Sequence, residues 1–286
     1  MKKLFVIIGF LGISLFCMPE ISAQFLTDQS FVDGIYVDNA TGVKEPMPLP
    51  TIREADVMWK KTIWREIDFN QKMNQGFYYP VAPHQNWQNL ITVLMNGLKS
   101  GEITAYADEK VATGELINPI SLSKIEENTT NRGTTHRLND ETGEYEDVEY
   151  TETLKPEDVT RCRVKEVWYF DKQRSQMMVR IIAICPVRMV DDGKGNKAPE
   201  PLFWVPYNNA TRALLAKSPF FNRGNSSAQL SYDEVFIKRM FDSYIYREEN
   251  MFDRNINSYA KGVAALKESE RIKQSIVDFE QQLWEY

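Results

Sequence analysis

Residues 161–186, RCRVKEVWYFDKQRSQMMVRIIAICP, constrain the fold of this chain more than any other stretch. RCRVKEVWYF and MMVRIIAICP are dense in β-branched and aromatic residues, which fit a pleated, packed surface. The polar DKQRSQ between them has the character of a turn, so the flanks predict an antiparallel hairpin. Folding it about the midpoint between Gln173 and Arg174 sets Cys162 opposite Cys185. Directly opposed residues in an antiparallel pair have Cα atoms roughly 4.5–5.5 Å apart, within reach of a disulfide. In an exported chain this placement predicts a structural disulfide, Cys162 to Cys185, whereas a slip of one residue leaves two buried thiols.

Export is expected from the first residues. Lys2 and Lys3 precede an apolar run from Leu4 to Phe16, and Ile21-Ser22-Ala23 supplies the small residue a signal peptidase cuts after. That order predicts a secretory signal peptide over 1–23, because the run falls short of the ~20 residues that span a bilayer. Cys17 admits a lipoprotein alternative, but Leu15 and Phe16 stand where that processing needs small residues. The expected mature chain begins at Gln24. Without Lys2, Lys3 and Glu20, the 34 basic and 40 acidic residues become 32 and 39, a net of −7. Such a balance speaks against a nucleic-acid partner, which needs clustered cations. No second apolar run is long enough to span a bilayer, so membrane contact is expected only through partners.

Residues 24–50 show no sustained period and end in Pro46-Met47-Pro48-Leu49-Pro50. Alternate prolines favour an extended arm, either a tether or a strap along a neighbour. Residues 51–286 then form the expected domain. At 100° per residue, Val57, Trp59, Ile63, Trp64 and Ile67 fall within roughly 160°, which predicts an amphipathic helix over 57–69 with Asp56 as its N-cap. Gly76 and Pro80 bracket a short extended FYY. The broad aromatic face is either core or a docking surface. The candidate partner-binding residues are Trp59, Ile63, Trp64, Ile67, Tyr78 and Tyr79, with Pro46, Pro48 and Pro50 of the arm.

Trp87, Leu90, Ile91, Leu94 and Leu98 recur at helical steps ahead of Gly101, a C-terminal cap. ITAYA (103–107) and PLFWVPY (201–207) read as strands, with a short helix over 208–216. Residues 121–160 read as irregular, and NDETGEYEDVEYTET (139–153) as a solvated acidic loop. Ser231 and Glu234 form a capping box opening a helix whose apolar face includes Val235, Ile237, Met240, Phe241, Tyr244 and Ile245. Residues 258–285 read as a long C-terminal helix with Ile272, Ile276, Phe279 and Leu283 in one stripe. Helices on both sides of a β section predict an α+β fold: one exported domain with a central antiparallel hairpin or sheet flanked by helices.

Chemistry-bearing patterns are scarce. His84 and His136 have no zinc-binding spacing, and no nucleophile elbow or phosphate-cradling glycine loop occurs. Asp140, Gly143, Glu144, Glu146 and Asp147 do not fit a calcium-loop frame. No catalytic, cofactor or metal site is predicted, although distant carboxylates leave a hydrolase conceivable. The six tryptophans also admit a periplasmic ligand- or glycan-binding module that stacks rings on sugars.

READVMWKKTIWREIDFNQKMNQGFYYP (53–80) resembles the hallmark segment of the GldN/PorN family. VKEVWYFDKQRSQMMVRIIAICP (164–186), PLFWVPYNNATRALL (201–215) and SYDEVFIKRMFDSYIYREENMFDRNI (231–256) are similar in the same order. The resemblance implies a non-enzymatic periplasmic protein of the Bacteroidota type IX secretion system and its linked gliding machinery. It implies assembly with an outer-membrane lipoprotein of the GldK/PorK kind into a ring, self-association within it, and contact with a GldM/PorM-like periplasmic domain.

Overall fold

The hairpin forms, from Val159–Asp171 and Gln176–Asp191. Its register follows the expected midpoint from Asp171↔Gln176 to Glu166↔Ile181, and then a bulge shifts it to Lys165↔Ala183. The extra residue, Ile182, gives its carbonyl to the Tyr207 N–H at 2.8 Å. A one-residue offset exchanges the faces of a strand. Cys162 therefore lies opposite Pro186, and Cys185 opposite Arg163. Cys162 sinks into the main core, while Cys185 packs with Trp64, Trp204 and Tyr246. Both are buried and no disulfide joins them, which corrects the expected pairing. Burial pushes the Cys162 thiol well up, so it is unreactive in the folded protein. Thiol titration of the mature protein should find two reactive cysteines after denaturation without reductant; a titre of zero would restore the disulfide.

The computed structural model describes residues 44–83, 87–109, 116–138, 145–152, 154–191, 197–225, 230–252 and 254–283. The signal-peptide expectation, His84, Trp284 and the acids of 139–144 lie outside them. In chain order, β1 (Val57–Asp68) leads through one-turn α1 (Gln75–Tyr78) to α2 (Leu90–Lys99). β2 (Ala105–Glu109) and β3 (Leu116–Ile120) make a ribbon. After α3 (Leu122–Thr129), β4 (Asn131–Leu138) and β5 (Tyr145–Glu152) make another. The hairpin strands are β6 and β7, followed by β8 (Lys197–Pro201) and β9 (Val205–Pro206). α4 (Asn209–Lys217), β10 (Pro219–Phe220), β11 (Leu230–Ser231) and α5 (Tyr232–Ile237) lead to β12 (Tyr244–Glu248) and α6 (Val263–Gln282). The main sheet runs β12-β1-β6-β7-β8 with β9 also on β7, and every pairing is antiparallel. The chain is thus α+β, as expected.

Residues 57–68 form a strand where a helix was expected. Along β1, Ile63, Arg65 and Ile67 face one side of the sheet and Trp64 and Glu66 the other, and all five are buried. A strand buried on both faces loses its apolar–polar alternation, and the remaining pattern satisfies a helical wheel equally well. The helix opened by Ser231 also ends early. Its capping box forms, with Glu234 N–H to Ser231 Oγ at 3.3 Å and Ser231 N–H to Glu234 Oε2 at 3.2 Å. Arg239 then turns at φ +55°, and buried Asn74 holds both backbone groups of Asp242 (2.9 and 2.8 Å). That bracket redirects Tyr244 and Ile245 into β12. Within the span expected to be irregular, α3 and the β4–β5 ribbon form. Its register sets Arg137 opposite Glu146 and His136 opposite Asp147.

α2 is capped by Asn89, which accepts from Thr92 N–H, and Gly101 takes φ +74° after it. Leu90 and Leu94 of α2, Leu215 of α4 and Val235 and Phe236 of α5 pack with Ile67, Cys162 and Val164 in the main core. Ile272 and Ile276 of α6 cover Ile63 and Ile245 nearby. Each such side chain contributes roughly 1.5–3 kcal/mol through burial. On the reverse face Trp64, Cys185, Trp204 and Tyr246 form a second layer, joined to β2 by the Tyr106–Trp204 bridge.

Candidate functional site

β1 carries adjacent charges to opposite faces of the sheet, and each is neutralised there. On the helix-covered face Glu166, fully buried, accepts from Arg65 Nε (3.1 Å), Trp168 Nε1 (3.1 Å) and Arg239 Nη1 (2.8 Å). The Arg65 and Arg239 guanidinium groups lie 5.8 and 5.6 Å from the Trp168 ring centre. On the reverse face Glu66 accepts from Tyr244 Oη (2.5 Å), Arg161 Nη1 (2.7 Å) and Arg163 Nε (3.0 Å). Burial pushes the Glu66 carboxyl up, but Tyr244, Arg163 and Arg161 outweigh it and hold the group below its usual range. A general acid or base needs a lone pair aimed at a substrate. These carboxylates spend theirs on donors of their own domain, and from opposite faces they cannot share a water. They act as structural pins.

The tryptophans are engaged in the same way. Trp64 lies between Arg247 (4.0 Å from the ring centre) and Lys165 (5.5 Å), and Trp59 stacks on Phe279 of α6 at 4.8 Å. Trp87 meets Phe221 edge-on at 5.2 Å, and Trp204 is buried. Of the candidate partner-binding residues, Ile63, Trp64 and Ile67 are therefore core and out of a partner's reach, and Trp59 is half-buried under α6.

The arm, from Lys44 on, lies on its own domain. Met47 donates its N–H to Asp233 Oδ2 at 3.0 Å, and its carbonyl accepts from Arg212 Nη2. Asp233 is buried and also holds Tyr207 Oη (2.7 Å) and Arg212 Nε (3.0 Å). Arg180 Nη2 donates to the Pro50 carbonyl at 2.6 Å, and Lys44 pairs with Glu234 at 3.7 Å. Pro48 and Pro50 border a cleft of about 220 Å³ with Tyr169, Met178 and Phe236. Pro46 is half-buried beside them.

Two apolar features remain open to solvent. Around α1 a groove of about 730 Å³ is lined by Met73, Tyr78, Tyr79, Phe221, Leu230 and Met240. Gly76 lies in its wall because a Cβ there would meet the Phe220 ring at 2.3 Å and the Phe221 carbonyl oxygen at 2.8 Å. The second feature follows β12. Met251 is fully exposed and Phe252 75% exposed, with Val263 at 69% and Leu266 at 56% at the start of α6. Arg254 lies 4.9 Å from the rings of both Phe252 and Tyr259, which gathers them into one patch. Sequence reasoning missed this patch. Its signal was the apolar pair Met251-Phe252 set between Asn250 and Asp253-Arg254, outside any helical or strand period.

Among the described residues no group of three or more His, Cys, Asp or Glu is placed to hold a metal, and no helix is long and apolar enough to cross a membrane. Residues 52–285, most of the chain, match the family described as gliding motility associated protein GldN. No curated protein matches the chain.

Proposed function

The chain belongs to the gliding motility associated GldN family, and from that premise we propose that it is a non-enzymatic assembly subunit of the type IX secretion and gliding machinery. It works in the periplasm beneath the outer membrane, held there by an outer-membrane lipoprotein of the GldK/PorK kind. Copies of the pair close into a ring, because a heterologous contact repeated about a rotation axis closes on itself. A GldM/PorM-like periplasmic domain couples the ring to an inner-membrane motor.

One observation carries the docking part of this proposal: exposed Met251 and Phe252, with exposed Tyr259 gathered beside Phe252 by Arg254. Large apolar side chains gathered this openly mark an interaction surface, and protruding aromatics become anchors once desolvated. Arg254 beside Phe252 and Tyr259 adds a cation to the same surface. The neutralised carboxylates of the sheet favour this role over hydrolysis.

Co-expression with the lipoprotein encoded in the same genome tests the proposal. The expected result is co-purification in particles far larger than a one-to-one complex, ring-shaped by electron microscopy. Two proteins that elute separately at micromolar concentration would overturn it.

A further inference from the structure

The groove around α1 combines a fixed aromatic floor with pliable walls. Phe69 and Phe220 line it, and both are held from behind by the core. There Phe77, 1% exposed, stacks on Phe69 at 5.7 Å and meets Phe220 edge-on at 5.2 Å. Met73 and Met240 line the same groove and are open to solvent, and their unbranched thioethers adapt to whatever lies against them. The volume of about 730 Å³ falls within the roughly 300–1,000 Å³ that small-molecule sites occupy.

Charge narrows the class of ligand. No Asp or Glu lines the groove, whereas Lys72 and Arg223 do, both exposed and neither in an ion pair among the described residues. Asn70 and Asn222 are spent on their own turns: Asn70 Nδ2 donates to Asp68 Oδ1 at 2.9 Å, and Asn222 Oδ1 accepts from Gly224 N–H at 3.0 Å. Little remains for a peptide, each residue of which brings a backbone donor and acceptor that need partners once buried. An alkyl chain has no such need, and a single carboxylate at its end suits the two cations. We propose that the groove binds one fatty acid, its acyl chain along Phe69, Phe220 and Tyr79 and its carboxylate at Lys72 and Arg223. The assembly role does not require such a ligand, so the two readings stand or fall separately.

Titration of the full mature chain with decanoate, laurate and myristate, each below its micelle concentration, tests the proposal. Binding should saturate at one ligand per chain and tighten about two- to fourfold per added CH₂. Photocrosslinking locates the ligand, with Tyr79→p-benzoylphenylalanine as the probe and Met240→p-benzoylphenylalanine as a second in case the first misfolds. Either should capture one laurate, and excess myristate should compete it away. Lys72→Glu with Arg223→Glu should weaken laurate about tenfold. The same variant should bind dodecyltrimethylammonium more tightly than laurate, the reverse of the wild-type order. No saturable binding, no adduct with either probe, or an affinity indifferent to the charge reversal would overturn the proposal. So would flotation on anionic phospholipid vesicles without binding of monomeric laurate, which assigns the groove to a membrane surface. A laurate-excluding dimer that Tyr79→Asp dissociates would also overturn it, assigning the groove to a second copy.

Discussion

Replacing Glu166 by alanine is expected to lower the stability of the folded chain by about 3–5 kcal/mol, the cost of breaking a buried ion pair from one side. Arg65 would stay in the sheet with only 7% of its side chain exposed and without its hydrogen-bonded carboxylate, and Arg239 and Trp168 Nε1 would lose the same acceptor. Burial already pulls the Arg65 guanidinium below its ordinary value even with Glu166 in place. Urea unfolding should show a large fall in midpoint at unchanged slope. Glu166→Gln keeps an acceptor but loses the charge, so it should fall between the two. A loss under 1 kcal/mol for the alanine variant would mean that the two arginines find water on the helix-covered face.

Trp64→Ala is expected to cost about as much, about 3–5 kcal/mol, as for large aromatic truncations in cores. Trp64 is 3% exposed, packed among Ala183, Cys185, Trp204 and Tyr246, with Arg247 over its face. Trp59→Ala removes a ring that is only half-buried against Phe279, so its cost should be clearly smaller. The comparison separates the strand from the helix expected over 57–69. On a docking helix the two tryptophans share one face, and both substitutions would leave the free subunit's unfolding midpoint nearly unchanged. In the sheet they differ, and the larger loss belongs to Trp64.

Elements with a local cause were legible in the sequence. α2 announces itself through Asn89, a helical period and Gly101; α5 through its capping box; the β6–β7 hairpin through two β-rich flanks and a polar turn. The misreadings share a different cause, since each depends on residues remote in sequence. β1 looks helical because both its faces are covered, by Leu90, Leu94, Val235 and Ile272 on one and by Ala183, Cys185 and Trp204 on the other. The chain after α5 leaves the helix because Asn74 holds Asp242. The disulfide geometry holds for the first six pairs of the hairpin and fails at a bulge whose extra residue, Ile182, serves Tyr207. The candidate site divides along the same line. Tyr78 and Tyr79 do line an open groove, whereas Ile63, Trp64 and Ile67 were apolar for the sake of the core. Met251 and Phe252 were passed over because a periodicity search rewards residues that recur, and a docking loop has no period.

The aromatic segment at 57–68 builds the subunit, and the exposed Met251 and Phe252 are proposed to join it to its partner. The most direct test is the affinity of the Met251→Ala, Phe252→Ala double variant for the outer-membrane lipoprotein, measured beside its unfolding free energy. The expected result is stability within about 0.5 kcal/mol of wild type, as for exposed positions, and affinity at least tenfold weaker, about 1.4 kcal/mol. Wild-type affinity in a stably folded double variant would contradict it.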